Sequence, residues 1–433
     1  MQNRPVAILF IITVFITCSV KGQKQVNSPY SRFNLGSIVP SGSYRSLAMG
    51  GTGVAMRDNN SIYFVNPSSY SSIDTTSFLL DFGSDYSISV LSDGVKKYNS
   101  DDMNFGHLLI GFPLAKGLGF AAGLVPVSNG YYNIQEILKE GDTGYDPLAG
   151  KIMSTHKGDG SLTNFFIGSG FRLTKNFSIG ANLKILFGEL DRTNQFEFED
   201  YANTFGQYNS EKLRIRGLNI DYGAQYTAKL KKDYFFTAGI SFTAAKNYRS
   251  DLEKISERFA SYTASAYSPD TLYYINNSSK DSTRLPSVIR LGVSFGKKDK
   301  FVAGIDYISS NWAEAKIHGS RASYLANSKS WLFGVEYIPD KFSNSSFLSR
   351  VEYRLGGHVS DNYLMLNGAQ IKEYGASCGF GIRMRNSFSK ATVYFDFTKK
   401  NGAISKGLHN ENFYTVGVSL NLYDFWFMKK KFD

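Results

Sequence analysis

Period-two alternation runs through most of this 433-residue chain. Phe177, Ile179, Ala181, Leu183, Ile185 and Phe187 alternate with Ser178, Gly180, Asn182, Lys184, Leu186 and Gly188. Phe236, Ala238, Ile240 and Phe242 alternate with Thr237, Gly239, Ser241 and Thr243; Tyr414, Val416, Val418, Leu420 and Leu422 alternate with Thr415, Gly417, Ser419 and Asn421. Successive side chains of a strand point to opposite faces, so each such segment has one large apolar face and one small or polar face. Fourteen segments read this way: 76–90, 103–113, 117–127, 161–173, 177–191, 212–228, 234–247, 284–296, 301–312, 328–338, 347–358, 370–384, 390–400 and 411–425. Most exceed the usual globular strand and meet the length that a tilted strand needs to cross a bilayer.

The connections carry a second signal. Short ones near 114–116, 174–176, 229–233, 297–300, 339–346 and 385–389 alternate with long ones near 91–102, 128–160, 192–211, 248–283, 313–327, 359–369 and 401–410. Short periplasmic turns and longer extracellular loops are the plan of outer-membrane barrels. A periplasmic or secreted β-sandwich is the competing architecture, but it gives no reason for connections sorted by length. In hydrocarbon every backbone polar group must be paired, so a sheet crosses only if it closes. The expected fold is therefore an all-β, 14-stranded antiparallel transmembrane barrel over 76–427.

Composition agrees. Aromatics make up 15%, with 34 Phe and 28 Tyr, and two cysteines preclude a disulfide framework. The net charge of +11 would suit nucleic acid, an anionic surface or plain solvation. No nucleic-acid motif is present, and solvated loops, turns and the basic tail at 428–433 are the expected seat of the excess. Residues 1–22 read as a secretory signal: Arg4 is the positive region, Ala7–Val20 the apolar stretch, and Gln23 the expected mature start. The residues before Cys18 lack the small residue of a lipidation signal. Cys378 shares a face with Tyr374, Ala376, Phe380 and Ile382 and reads as a small outward residue.

The apolar faces, including Phe165, Ile167, Phe171, Leu291, Val293, Phe295, Trp331, Phe333, Val335, Val393, Phe395 and Phe397, would meet lipid. Tyr307, Tyr337 and Tyr414 would sit in interfacial belts. The inner faces carry Arg172, Lys184, Arg290, Arg350, Arg354 and Arg383 against Asp221, Asp306, Glu336, Glu352, Glu373 and Asp396. Six positives against six negatives read as an ion-pair lattice that fills the lumen or holds a plug, in preference to a selective pore lining. His107, His156, His318, His358 and His409 have no metal-ligand spacing, so no metal, cofactor or catalytic residue is expected. The loops 128–160 and 248–283 are long enough to cover the outer mouth, with helical spacing over 250–262.

Residues 23–75 differ: they are rich in Ser, Gly and Asn. Ala48-Met49-Gly50-Gly51-Thr52-Gly53-Val54-Ala55 is a run of small residues, and Asn66-Pro67-Ser68-Ser69 follows it. Neither lies in a phosphate-loop context. This pair of motifs resembles the hatch segment of FadL-type outer-membrane transporters, and the opening Ser28-Pro29-Tyr30-Ser31-Arg32-Phe33-Asn34-Leu35-Gly36 is similar to FadL-like proteins of Bacteroidota type. The strong matches cover about 45 residues, with Ser68 in place of the family's Ala. The resemblance implies a barrel with its N-terminal residues folded inside, a hatch shaped by Gly50, Gly51, Gly53, Asn66 and Pro67, and diffusion of hydrophobic molecules such as long-chain fatty acids. The implied partners are outer-membrane lipids and a hydrophobic small-molecule ligand. The alternative, motivated by the charged lumen and long loops, is a non-transporting subunit of an envelope assembly or secretion complex. A lipid hydrolase is the third reading.

Overall fold

The structure, a computed structural model, describes residues 28–200, 205–260, 270–277, 281–321, 323–343, 345–384 and 387–426. The signal segment, Cys18, the mature start, Tyr262, Tyr267 and the basic tail lie outside the described residues.

Fourteen barrel strands follow the N-terminal segment: β1 (Ser77–Ser92), β2 (Lys97–Ala115), β3 (Leu118–Asn129, continued by Tyr132–Leu138), β4 (Ile152–Arg172), β5 (Phe177–Phe198), β6 (Phe205–Lys229) and β7 (Tyr234–Thr243, continued by Lys246–Ala260). Then come β8 (Val288–Lys297, preceded by Asp270–Asn277 and Ser282–Leu285), β9 (Phe301–Ser310), β10 (Ser328–Tyr337), β11 (Glu352–Leu366), β12 (Ala369–Arg383), β13 (Lys390–Asn401) and β14 (Asn410–Phe425). Each pairs antiparallel with its sequence neighbour, and β14 returns to β1 along Ser77↔Phe425 to Ser92↔Asn410, which closes the barrel. Closure leaves no end of the sheet unpaired at that seam.

The expected faces hold. Ile179, Leu183, Ile185, Phe187, Leu291, Val293, Trp331, Phe333, Phe395 and Val416 are large apolar side chains exposed on the outside of the barrel. Cys378 is half-buried, in register with outward Leu355 and Phe395. Such an outward apolar band around a closed sheet is the architecture of an outer-membrane barrel, whose short turns face the periplasm. That rule places the turn at 116–117 and both Thr76 and Trp426 at the periplasmic rim.

Several expected loops are strand instead. Of 91–102 only 93–96 is a turn, and 359–369 turns at Asn367 and Gly368. The stretch 250–262, read as helical, is strand over Lys246–Ala260. Beyond the apolar band both faces of a strand meet water, so alternation disappears although the hydrogen-bond ladder continues. The 25 residues of β6 at about 3.3 Å each run roughly 80 Å along the strand, which at a tilt of about 40° rises roughly 60 Å, more than twice a typical apolar band. The outer parts of β3 to β7 and Asp270–Asn277 thus form a projecting sheet. Its surface is laced with pairs such as Arg214–Glu189, Lys254–Glu211 and Arg258–Asp270.

The β2–β3 ladder is short. It runs from Ala115↔Leu118 to Leu108↔Leu124 and stops there. Higher up, Ser37 and Ile38 of the N-terminal segment pair with Asn129 and Ser128 of β3.

Candidate functional site

The lumen is occupied by residues 28–76 at two levels. The lower level is built from the small-residue run and the Asn-Pro turn. Asn66 caps the 3-10 turn Pro67–Ser72 through Ser68 N, and its Nδ2 donates to the carbonyls of Val54 (2.8 Å), Ile240 (3.2 Å) and Ala224 (3.3 Å). Both Gly53 N and Val54 N donate to Asp306 Oδ2, at 2.7 and 2.9 Å. Gly50 N donates to Ser377. Gly50 has φ +67°, and a Cβ there would lie 2.5 Å from the carbonyl oxygens of Phe333 and Gly357. Wall glycines complete the fit. A Cβ on Gly119 would overlap the Tyr70 carbonyl, and one on Gly334 the Met49 carbonyl.

A buried ion chain fixes this level to the wall. Asp58 pairs with Arg45, Arg45 with Glu336 (2.7 Å), Glu336 with Arg354 (2.7 Å), Arg354 with Glu352, and Glu352 with Lys390 (2.7 Å). Three cations meet three carboxylates, and Arg354 is only 2% exposed. Burial alone would push the Asp58 carboxyl up; Arg45 and Lys390 outweigh it, so it is held well below the usual carboxylate range.

The upper level is residues 28–39. Ser28 donates to Glu411 (2.8 Å), Tyr30 Oη to the His409 carbonyl (2.5 Å), and Tyr363 Oη to the Gly36 carbonyl. Leu35 packs among Leu162, Leu186, Leu190, Leu213 and Tyr248.

Between the levels lies a chamber of about 550 Å³. Its roof includes Ser28, Ser31, Leu35, Ser37 and Val39, and its floor Tyr44, Leu47, Gly50, Gly51 and Phe64. Phe166, Leu186, Val288 and Trp312 give apolar wall. On one side stand Lys184, Asp221, Thr243 and Arg290 from the adjacent strands β5 to β8. Lys184 Nζ pairs with Asp221 at 2.7 Å, and Arg290 Nη1 reaches Thr243 Oγ1 at 3.3 Å. Arg290 Nε is buried and finds no partner among the described residues. Two cations against one carboxylate leave a positive excess confined to this side, since Asp85, Asp102, Asp361, Glu373 and Asp396 line the chamber elsewhere.

The twelve expected lumen charges therefore do not form one lattice. Glu336, Glu352 and Arg354 belong to the ion chain, Asp306 clamps the small-residue run, and Lys184, Asp221 and Arg290 face the chamber. Glu373, paired with Lys400 at 3.7 Å, and Asp396, bonded to Thr398 at 2.7 Å, line its far side. Arg172 donates to the Ser71 carbonyl, and Arg383 lines a small periplasmic-rim pocket with Asn60 and Asp74. Arg350 is a correction: it lies in the turn Leu348–Arg350, because β11 begins only at Glu352. Sequence reasoning missed Arg45, Asp58 and Lys390. Lys390 shares the inward parity of Thr392 and Tyr394 and was accessible to the alternation argument; Arg45 and Asp58 lie in a segment with no periodicity. No group of three metal-binding side chains occurs among the described residues.

A closed 14-stranded barrel is also the fold of solved outer-membrane channels of FadL type. Solved structures of that class align over almost their whole length. The CymD monoaromatic hydrocarbon channel matches at 14% identity and TM-score 0.58, over 91% of this chain and 99% of its own. A Pseudomonas aeruginosa FadL homologue matches at 12% and 0.56, over 89% and 99%. The Pseudomonas putida toluene transporter TodX matches at 15% and 0.54, over 89% and 98%. At these identities the likeness establishes the fold. No curated protein matches. The model of the family described as BamG matches residues 6–433, and the chain belongs to that family.

Proposed function

We propose that this chain is an exported outer-membrane barrel that takes up a hydrophobic or amphipathic small molecule into the chamber, by passive diffusion. The supporting observation is the chamber itself: an apolar-walled space with a positively charged side at Lys184 and Arg290, suited to an apolar body with an anionic group. Residues 1–22 direct export, 23–75 form the hatch, and the basic tail 428–433 meets solvent or anionic headgroups. In this reading the hatch around Gly50, Gly51, Gly53, Asn66 and Pro67 gates passage, and the gap between β2 and β3 offers a sideways route into the membrane. The lipid bilayer surrounds the outward apolar band. The relatives of similar fold that are described as hydrocarbon channels or toluene transporters are in keeping with this reading. The Bacteroidota-type character of Ser28–Gly36 belongs to it as well. We assign the site no enzymatic step.

A second reading has its own support. The ion chain Asp58–Arg45–Glu336–Arg354–Glu352–Lys390 ties the hatch to the wall, and breaking a buried pair is strongly unfavourable. The projecting sheet ends at Asp270–Asn277, where Leu272, Tyr273, Tyr274 and Ile275 are all exposed. A sealed barrel with such an outer sheet suits a non-transporting subunit of an envelope assembly or secretion complex. Purification from outer membranes in mild detergent, with mass spectrometry of lipids and proteins, separates the two. A monomer carrying a defined amphiphile supports uptake. A stoichiometric partner set with an empty chamber supports the subunit reading and overturns uptake.

A further inference from the structure

The path of the N-terminal segment carries a topological consequence. Its first described residues bind elements at the long-strand end of the barrel. Ser28 meets Glu411 and Tyr30 meets His409, both beside the turn between β13 and β14. Asn34 Nδ2 donates to the Ser323 carbonyl in the connection between β9 and β10 (3.0 Å), and Val39 N to the Val127 carbonyl on the upper edge of β3 (2.9 Å). The segment then descends through the small-residue run to Tyr70, which packs with Ile73, Leu79 and Leu109, and joins β1 at the periplasmic rim. The chain thus crosses the whole lumen from the outer mouth to the inner rim before the first strand begins.

We infer that residues 28–39 are an extracellular roof over the chamber, with Ser28 held at the outer mouth of the barrel. The two levels differ in what holds them. The floor is fixed by five buried charges, by half-buried Asp58 and by glycine contacts. The roof has no ion pair to the wall among the described residues: it is held by hydrogen bonds, including Ser28 to Glu411 and Arg192 to the Asn34 carbonyl, by the packing of Leu35, and by a two-residue ladder on β3. The roof is therefore the level that opens, and access to the chamber is controlled from the outer side. The regulatory half of this inference rests on the uptake reading; the topology does not.

The test is labelling of single cysteines in intact cells with a membrane-impermeant maleimide, in a Cys378→Ser background. Arg32→Cys replaces an exposed roof residue, and Lys175→Cys marks a periplasmic turn. A second probe is an epitope inserted between Asn27 and Ser28. Arg32→Cys should label in intact cells, with Lys175→Cys labelling only after permeabilisation. Adding Tyr30→Phe and Glu411→Gln should raise several-fold the labelling rate of Ser31→Cys, a roof position that is buried when the roof is closed. If Arg32→Cys behaves like Lys175→Cys, or the retained epitope is reached only after lysis, the inference is overturned. If Arg32→Cys labels as expected and the Ser31→Cys rate ignores the roof substitutions, the movable roof is overturned. Absence of any bound amphiphile would defeat uptake while leaving the labelling result standing.

Discussion

Arg45 carries the ion pair that joins the N-terminal segment to the barrel wall. Its guanidinium spans Asp58, Ser61 and Glu336, so one residue couples the segment to β10 and, through Arg354 and Glu352, to β11 and β13. Truncation to Ala leaves two buried carboxylates short of a cation. Arg45→Ala should cost ~3–5 kcal/mol, seen as a lower melting temperature and protease cleavage within 44–72. Gly356→Ala probes the same seat by shape, since a Cβ there would overlap the Gly50 amide and Met49. It should destabilise by ~1–3 kcal/mol, the range for overpacking, with the barrel strands still formed by circular dichroism. At this scale the sequence was only partly legible. Inward charges on strands, such as Glu336 and Arg354, followed from parity. The wall glycines did not, because a glycine on an alternating strand looks the same whether it faces lipid, water or a second backbone.

The elements were easier to read, for a physical reason. A strand inside the bilayer has unlike solvents on its two faces, and that difference writes the alternation that located all fourteen strands. Outside the bilayer the faces are alike, so the outer halves of β5, β6 and β7 were read as loop or helix. The N-terminal segment, enclosed on all sides, has no period to read; only its Gly run and Asn-Pro turn marked it. Its attachment should depend on pH through Asp58. The carboxyl is held below its unfolded value near 3.9, so its contribution is full above that value and fades as pH falls through the lower folded one. Melting temperature followed from pH 5 to pH 2 should therefore drop more steeply for the native protein than for Asp58→Asn, with the slopes parting below about pH 4. Equal slopes would place the acid sensitivity elsewhere. The β5–β8 cluster makes a separate prediction. Lys184→Met with Arg290→Met removes both cations from the chamber side, and binding of an anionic amphiphile should weaken at least ~10-fold, as loss of charged hydrogen bonds implies, while an uncharged analogue is unaffected.

For the whole molecule, the barrel class and strand number were legible, whereas the height of the outer sheet and the two-level lumen were not. Both depend on contacts between residues hundreds of positions apart, such as Ser28 with Glu411 and Arg45 with Glu336. The outer sheet yields a prediction at this scale. Among the described residues Asp270–Asn277 pairs on one side only, with Leu252–Arg258. Unprotected edges of this kind invite another strand. Replacing Tyr273 and Ile275 with Lys should leave barrel formation and thermal stability within ~0.5 kcal/mol, as for other exposed sites, and remove any co-purifying protein that docks there. Retention of the same partner set would move the docking surface elsewhere.

The seam between β14 and β1 bears on how such a molecule is made. The N-terminal segment is synthesised first, yet its partners include Glu336, Ser377 and Glu411, all on strands of the later half of the chain. Closing Ser77 onto Phe425 around a segment already in place gives that segment these contacts without threading it through the finished ring.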